Sequence, residues 1–154
     1  LLGQKLIHQL ANRADVTLLA TARGQNRLKQ QEGYAYQSLD ITDGAAVEAL
    51  CRAWQPEVII HTAAMTQVDD CEDQQDTCWE LNVTAVHHLI RAAAAVNAHL
   101  VHLSTDFIFD GAAGPYDETA APNPLSFYGK SKLAAEKLLL ESSISYSIIR
   151  TVLV

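Results

Sequence analysis

Short apolar runs separated by helical spacing recur along the whole chain, and this alternation restricts the fold more than any other feature. Val16–Ala20, Gln37–Ile41, Glu57–Ala63, His99–Ser104 and Ser145–Val154 read as strands, several of them apolar at nearly every position. A strand that is apolar on both faces must be covered on both faces, which parallel strands joined by helices achieve. The intervening segments supply the helices. Thr42 or Asp43 can cap a helix carrying Val47, Leu50, Cys51 and Trp54 at i, i+3, i+4, i+7 spacing, and Pro56 ends it. A long helix is expected from Gln74 to Val96, with Leu81, Ala85, Leu89 and Ala93 on one face. Another is expected from Ser126 to Glu141, after a Gly-, Pro- and Asp-rich loop at Asp110–Pro124. The pattern is that of an α/β protein with a doubly wound parallel sheet.

Both ends read as cut. A helical pattern (Leu6, Ile7, Leu10) starts at once, with no strand before it, and the chain stops on the strand Ile148–Val154. The expectation is one domain over residues 1–154 that lacks its first strand.

Composition narrows the function classes. With 18 acidic against 11 basic residues the charge is −7, which disfavours non-specific nucleic-acid binding. Apolar runs such as Val58–Ile60 and Leu138–Leu140 fall far short of the roughly 18 residues of a membrane span. No basic, apolar and small-residue sequence of a secretory signal opens the chain. Cys51, Cys71 and Cys78 lack paired metal spacing and read as free thiols in a reducing cytoplasm.

The chemistry-bearing residues cluster at strand ends, where open α/β sheets bind ligands. Tyr128 and Lys132 stand four residues apart on a helix and so share a face, where an ammonium favours the phenolate. Ser104-Thr105-Asp106 closes one strand, and a hydroxyl there can hold a carbonyl oxygen. His61-Thr62-Ala63-Ala64 closes another, its small residues letting a flat ligand approach. Read locally, His61 is a core histidine, and His87 and His88 do not share a helix face as metal ligands would. Gly3 suits the last glycine of a phosphate-binding turn. Arg23 follows a strand, where a cation can pair with a ribose 2′-phosphate. By itself each of these is also an ordinary turn, cap or surface residue; their order along the chain is what carries meaning.

In that order the chain resembles the extended short-chain dehydrogenase/reductase family, and within it the dTDP-4-dehydrorhamnose reductases. The carrying segments are VIIHTAAMTQVDDCE (Val58–Glu72), Leu81-Asn82-Val83, LVHLSTDFIFDG (Leu100–Gly111), PYDE (Pro115–Glu118) and NPLSFYGKSKLAAE (Asn123–Glu136). The resemblance implies a Rossmann-type domain for NADP(H) or NAD(H), followed by a substrate domain that is not in this chain. It assigns the catalytic roles to Thr105, Tyr128 and Lys132. Gly3, Arg23, Asp40, Ile41, Ala63, Ala64, Thr66, Asn82 and Ser104 would serve the cofactor with Tyr128 and Lys132, and Arg150 and Thr151 would follow the strand at its nicotinamide end. Val68, Asp69, Asp106 and Phe107 would join Thr105 and Tyr128 on the nucleotide-sugar side. No metal is expected, and a homodimer stays open. Met65 departs from the aromatic residue usual in the family. Phe107 after Asp106 departs from the Asp-Glu pair of nucleotide-sugar dehydratases, which weakens a dehydratase reading, while a nucleotide-sugar epimerase is an alternative. Relatives such as the regulatory subunit of methionine adenosyltransferase imply a different outcome, a dinucleotide-binding subunit without catalysis.

Overall fold

The computed structural model describes residues 2–152. Leu153 and Val154, where the last strand was expected to end, lie outside the described residues. Helix α1 (Leu2–Leu10) is followed by β1 (Leu19–Ala22), which pairs in parallel with β2 (Ala35–Ser38), Leu19 opposite Ala35. The second strand lies two residues earlier than its sequence pattern suggests. Asp40 is the reason: its Oδ1 accepts from the Thr42 amide at 3.0 Å and the Thr42 hydroxyl at 2.8 Å, folding Leu39–Thr42 out of extension. Asp43 then caps α2 (Gly44–Trp54) by accepting from the Ala46 amide at 3.0 Å. Gln55, at φ 53°, turns the chain out of the helix just before Pro56.

Strands β3 (Val58–His61), β4 (His99–Thr105) and β5 (Tyr146–Thr151) form a second parallel ladder in the order β3-β4-β5. Among the described residues no ladder joins β1 to β3. Paired residues of parallel strands share a face, so Ile59, Leu100 and Tyr146 form one row, and His61, His102 and Ile148 the next. This face packs against α2, α5 (Ala85–Val96) and α6 (Phe127–Leu140) through Val47, Cys51, Val86, Leu89, Leu100, Ala135 and Leu139. Ala92 and Ala93, both fully buried, add no bulk between α5 and its neighbours. The opposite face leaves Val58, Ile60 and Ile149 exposed. No helix of the described residues is long and apolar enough to cross a membrane.

The long helix expected from Gln74 is the largest local departure. Helical structure starts earlier, as α3 (Val68–Asp73), breaks at Gln74, and resumes as α4 (Gln75–Trp79). It then widens into one π-helical turn, Glu80–Thr84, before α5. The sequence pattern shows only apolar periodicity, whereas the π turn follows from a tertiary bond. Buried Asn82 accepts from the Met65 amide at 2.9 Å and donates to the Met65 carbonyl and the Ser131 hydroxyl, both at 3.0 Å. A π turn shifts the register of side chains by one residue, and such turns concentrate at functional sites. Replacing Asn82 by Ala leaves the Met65 amide and carbonyl without this partner. The expected cost is about 3 kcal/mol, read as a lowered urea midpoint; an unchanged midpoint would show that the loop after β3 is held by something else.

Candidate active site

Two elements meet where β4 ends. Thr105 caps a single 3₁₀ turn, Asp106–Ile108, by accepting from the Phe107 amide at 3.2 Å, and its hydroxyl donates to Asp106 at 3.1 Å. Helix α6 abuts this turn. Ser126 caps it by accepting from the Gly129 amide at 3.0 Å, and Glu72 accepts from the Phe127 amide at 2.6 Å. The approach requires Gly129, because a Cβ there would collide with the Phe107 carbonyl and crowd Pro124. Tyr128 is thereby buried against Phe107, the rings edge-to-face at 5.8 Å. Burial raises its pKa above the usual phenol value, and the nearby Thr105 side chain pulls part of the way back. Thr105 and Tyr128, 23 positions apart in sequence, are brought together.

Lys132 shares the Tyr128 face of α6, as its spacing predicts, yet its effect on the phenol is not the expected one. The ammonium turns down onto the sheet, where Nζ lies 3.4 Å from His102 Nε2. Burial brings its pKa down to about 8, with the nearby Glu136 carboxylate opposing that fall. Tyr128 responds first to its own burial, so its pKa rises rather than falls in the protein without bound molecules. One turn further, fully buried Glu136 is gripped by Arg150 through Nε at 3.1 Å and a terminal nitrogen at 2.8 Å. Arg150 also donates to the Glu118 carbonyl at 3.2 Å and lies over the Phe109 ring. Arg150 and Thr151 belong to β5 instead of following it, and the Arg150 guanidinium is committed to Glu136. Its role here is to tie α6 to the Phe109–Glu118 loop.

The remaining site residues fall along the strand ends. Gly3 lies in the first turn of α1, close enough to β3 that a Cβ would press on the Thr62 hydroxyl. Ala63 and Thr66 are exposed and Ala64 half-buried on the loop after β3. Asn82 is buried beneath that loop with its amide bonded to Met65 and Ser131, so it shapes the loop. Arg23 is 4.0 Å from Asp40, and its side chain is 81% exposed. The Ile41 carbonyl lies 3.4 Å from His88 Nδ1. Asp69 is exposed at the start of α3, while Val68 packs with Cys71, Cys78 and Tyr128. Ser104 is buried, and its hydroxyl has no partner among the described residues. Cys51, Cys71 and Cys78 are free and buried, and burial, with Cys78 alongside, pushes the Cys71 thiol up to about 12. His102, Glu136 and Gly129 are site residues that motif reading passed over. Strand alternation held the signal for His102, which shares its face with Ser104.

The whole chain, residues 1–154, matches the family described as RmlD substrate binding domain. The chain belongs to that family. It is 40% identical over 115 residues to methionine adenosyltransferase 2 subunit beta of Rattus norvegicus, covering 75% of this chain and 34% of the relative. It is 41% identical over 117 residues to dTDP-4-dehydrorhamnose reductase of Aggregatibacter actinomycetemcomitans, covering 75% and 40%. The matched stretch is thus well under half of either relative. Among solved structures, the dTDP-4-dehydrorhamnose reductase of Bacillus anthracis in complex with NADP superposes with a TM-score of 0.73 at 31% identity, over 88% of this chain and 53% of that one. These likenesses establish the Rossmann-type α/β fold.

The buried histidines make stability depend on pH. Burial holds His61 neutral, its pKa down to about 3, and His102 likewise, down to about 2, with the Lys132 charge adding to both shifts. Below about pH 6.5 the unfolded chain binds protons on both imidazoles and the native chain does not. Stability is therefore lost as pH falls below that value, by on the order of 1 kcal/mol per pH unit for each histidine. Urea titrations from about pH 7 to about pH 5 should show this slope, and His61→Phe should reduce it. A flat profile would mean that the native protein accepts protons on both rings.

Proposed function

We propose that this chain is the dinucleotide-binding part of an NAD(P)H-dependent reductase of a 4-keto-6-deoxy nucleotide-sugar, the sugar being held largely by a carboxy-terminal domain beyond residue 154. One observation carries the reading: the Thr105 and Tyr128 side chains meet at the end of β4, with Lys132 one helical turn away. Family membership and the NADP-bound reductase structure support it.

The strand ends fit a dinucleotide. Gly3 lets α1 lie close to Thr62, small residues line the loop after β3, and Arg23 stands free enough to meet a 2′-phosphate. Gly3, Arg23, Asp40, Ile41, Ala63, Ala64 and Thr66 would hold the dinucleotide, with Lys132 on its ribose. The nicotinamide supplies the hydride when bound. Thr105 orients the substrate carbonyl, and Tyr128 donates its phenolic proton to the developing alkoxide. Tyr128 carries its proton at neutral pH, as an acid must, and its burial-raised pKa leaves it a weaker donor than one tuned toward the working pH. Val68, Asp69, Asp106 and Phe107 lie at the same end of the sheet and would meet the sugar. The adenosyltransferase subunit favours a second reading, dinucleotide binding without catalysis.

Tyr128→Phe separates the two. In the complete protein it should lower turnover by about 10²–10⁴-fold and leave cofactor affinity nearly unchanged, since only the hydroxyl is lost. Stopped-flow oxidation of NADPH with a keto-sugar nucleotide reads the first quantity and a fluorescence titration the second. Unchanged turnover would remove the tyrosine from the mechanism. Arg23→Ala should weaken NADPH by about tenfold and spare NADH; equal losses in the same titration would place the 2′-phosphate elsewhere.

A further inference from the structure

Two of the three residues in one row of the sheet beneath α6 are polar where a core would ordinarily be apolar. His61 and His102 are neighbours on β3 and β4, stacked with ring centres 5.6 Å apart, and Lys132 descends onto them from the helix. All three are buried, His102 completely. A buried ammonium needs a partner, and a carboxylate is the usual one. The nearest carboxylate, Glu136, is already held by two nitrogens of Arg150. Cys78 faces the same ammonium from α4 as a weak neighbour. His102 Nε2 is the hydrogen-bonding side chain that remains.

We propose that His102 is a positioning residue: a neutral imidazole whose Nε2 accepts from the Lys132 ammonium and fixes where its other two protons point. This rests on Lys132 serving the site as proposed above. A neutral acceptor orients the lysine without cancelling its charge, whereas a carboxylate at this place would cancel the charge that Lys132 would offer a bound ribose. The arrangement demands the tautomer with its proton on Nδ1, and Nδ1 has no partner among the described residues. Burial and the adjacent ammonium keep the ring neutral, so it serves as an acceptor and not as a proton carrier. His102 stands three residues before Thr105 on β4, so one strand sets both the carbonyl-orienting hydroxyl and the anchor of the lysine.

The test uses the complete protein with His102→Gln, which restores an acceptor near the Nε2 position, and His102→Leu, which does not. Turnover with NADPH and a keto-sugar nucleotide should fall at least tenfold in the Leu variant, NADPH affinity should weaken several-fold, and the Gln variant should recover most of both. The pH profile of turnover should shift in the Leu variant alone. Equal losses in Gln and Leu, or parental behaviour in Leu, would overturn the proposal. Two NMR readings do not depend on activity. The nitrogen shifts of His102 in the unmodified protein should show the Nδ1-protonated tautomer, and the Lys132 side-chain titration should move down by about one unit in the Leu variant. An Nε2-protonated ring, or an unmoved lysine titration, would refute the role of His102. If the parent fails to reduce any sugar while both NMR results hold, the reductase reading fails and the His102–Lys132 bond stands. Should the Leu variant not fold, the tautomer measurement still decides.

Discussion

The Asn82 side chain holds the site together. Three segments distant in sequence converge on one buried amide: the loop after β3 through both polar groups of Met65, the π turn that carries Asn82 itself, and α6 through the Ser131 hydroxyl. Ser131 in turn donates to the Tyr128 carbonyl at 2.7 Å. An unbroken hydrogen-bonded path therefore runs from the loop that would face a cofactor to the backbone of the tyrosine. Each bond is modest alone, but leaving any of these groups unpaired in the interior is expensive. The π turn costs helical regularity, and the network offsets that cost.

Charge is managed by the same economy of partners. Helix α6 presents Tyr128, Lys132 and Glu136 at four-residue intervals to one face of the sheet, and each is buried. Arg150 from β5 neutralises Glu136 with two nitrogens, and Arg150 stays in contact with the loop that carries Phe109 and Glu118. The charge of Lys132 is not cancelled by its direct partner, an uncharged imidazole. The ammonium thus remains available beside the phenol, and the tyrosine keeps its proton through burial.

Much of this was legible in the sequence. The alternation of apolar runs and helical spacing identified five parallel strands, and the order Ser-Thr-Asp followed by Tyr-x-x-x-Lys placed the site at the end of β4. Boundaries moved where a side chain outbid propensity. Asp40 ended β2 early by taking the Thr42 amide, and Asn82 turned a plain helical repeat into a π turn. The direction of the Tyr128 shift was not legible, because four-residue spacing says that two side chains share a face and not where an ammonium points once buried. His102 was overlooked because the resemblance gives it no role within LVHLSTDFIFDG, although alternation along β4 puts it on the face of Ser104. The Arg150–Glu136 pair joins residues 14 apart on different elements, and only the packing of β5 beneath α6 reveals it.

Isotope transfer tests whether hydride and proton reach a sugar carbonyl together at the end of β4. The complete protein is given NADPH carrying deuterium at the transferable position of the nicotinamide, with a 4-keto-6-deoxy nucleotide-sugar. The expected product is a reduced sugar with deuterium on the former carbonyl carbon, with stoichiometric loss of NADPH. Tight NADPH binding with no deuterium in the sugar would contradict it and leave a dinucleotide-binding subunit in its place.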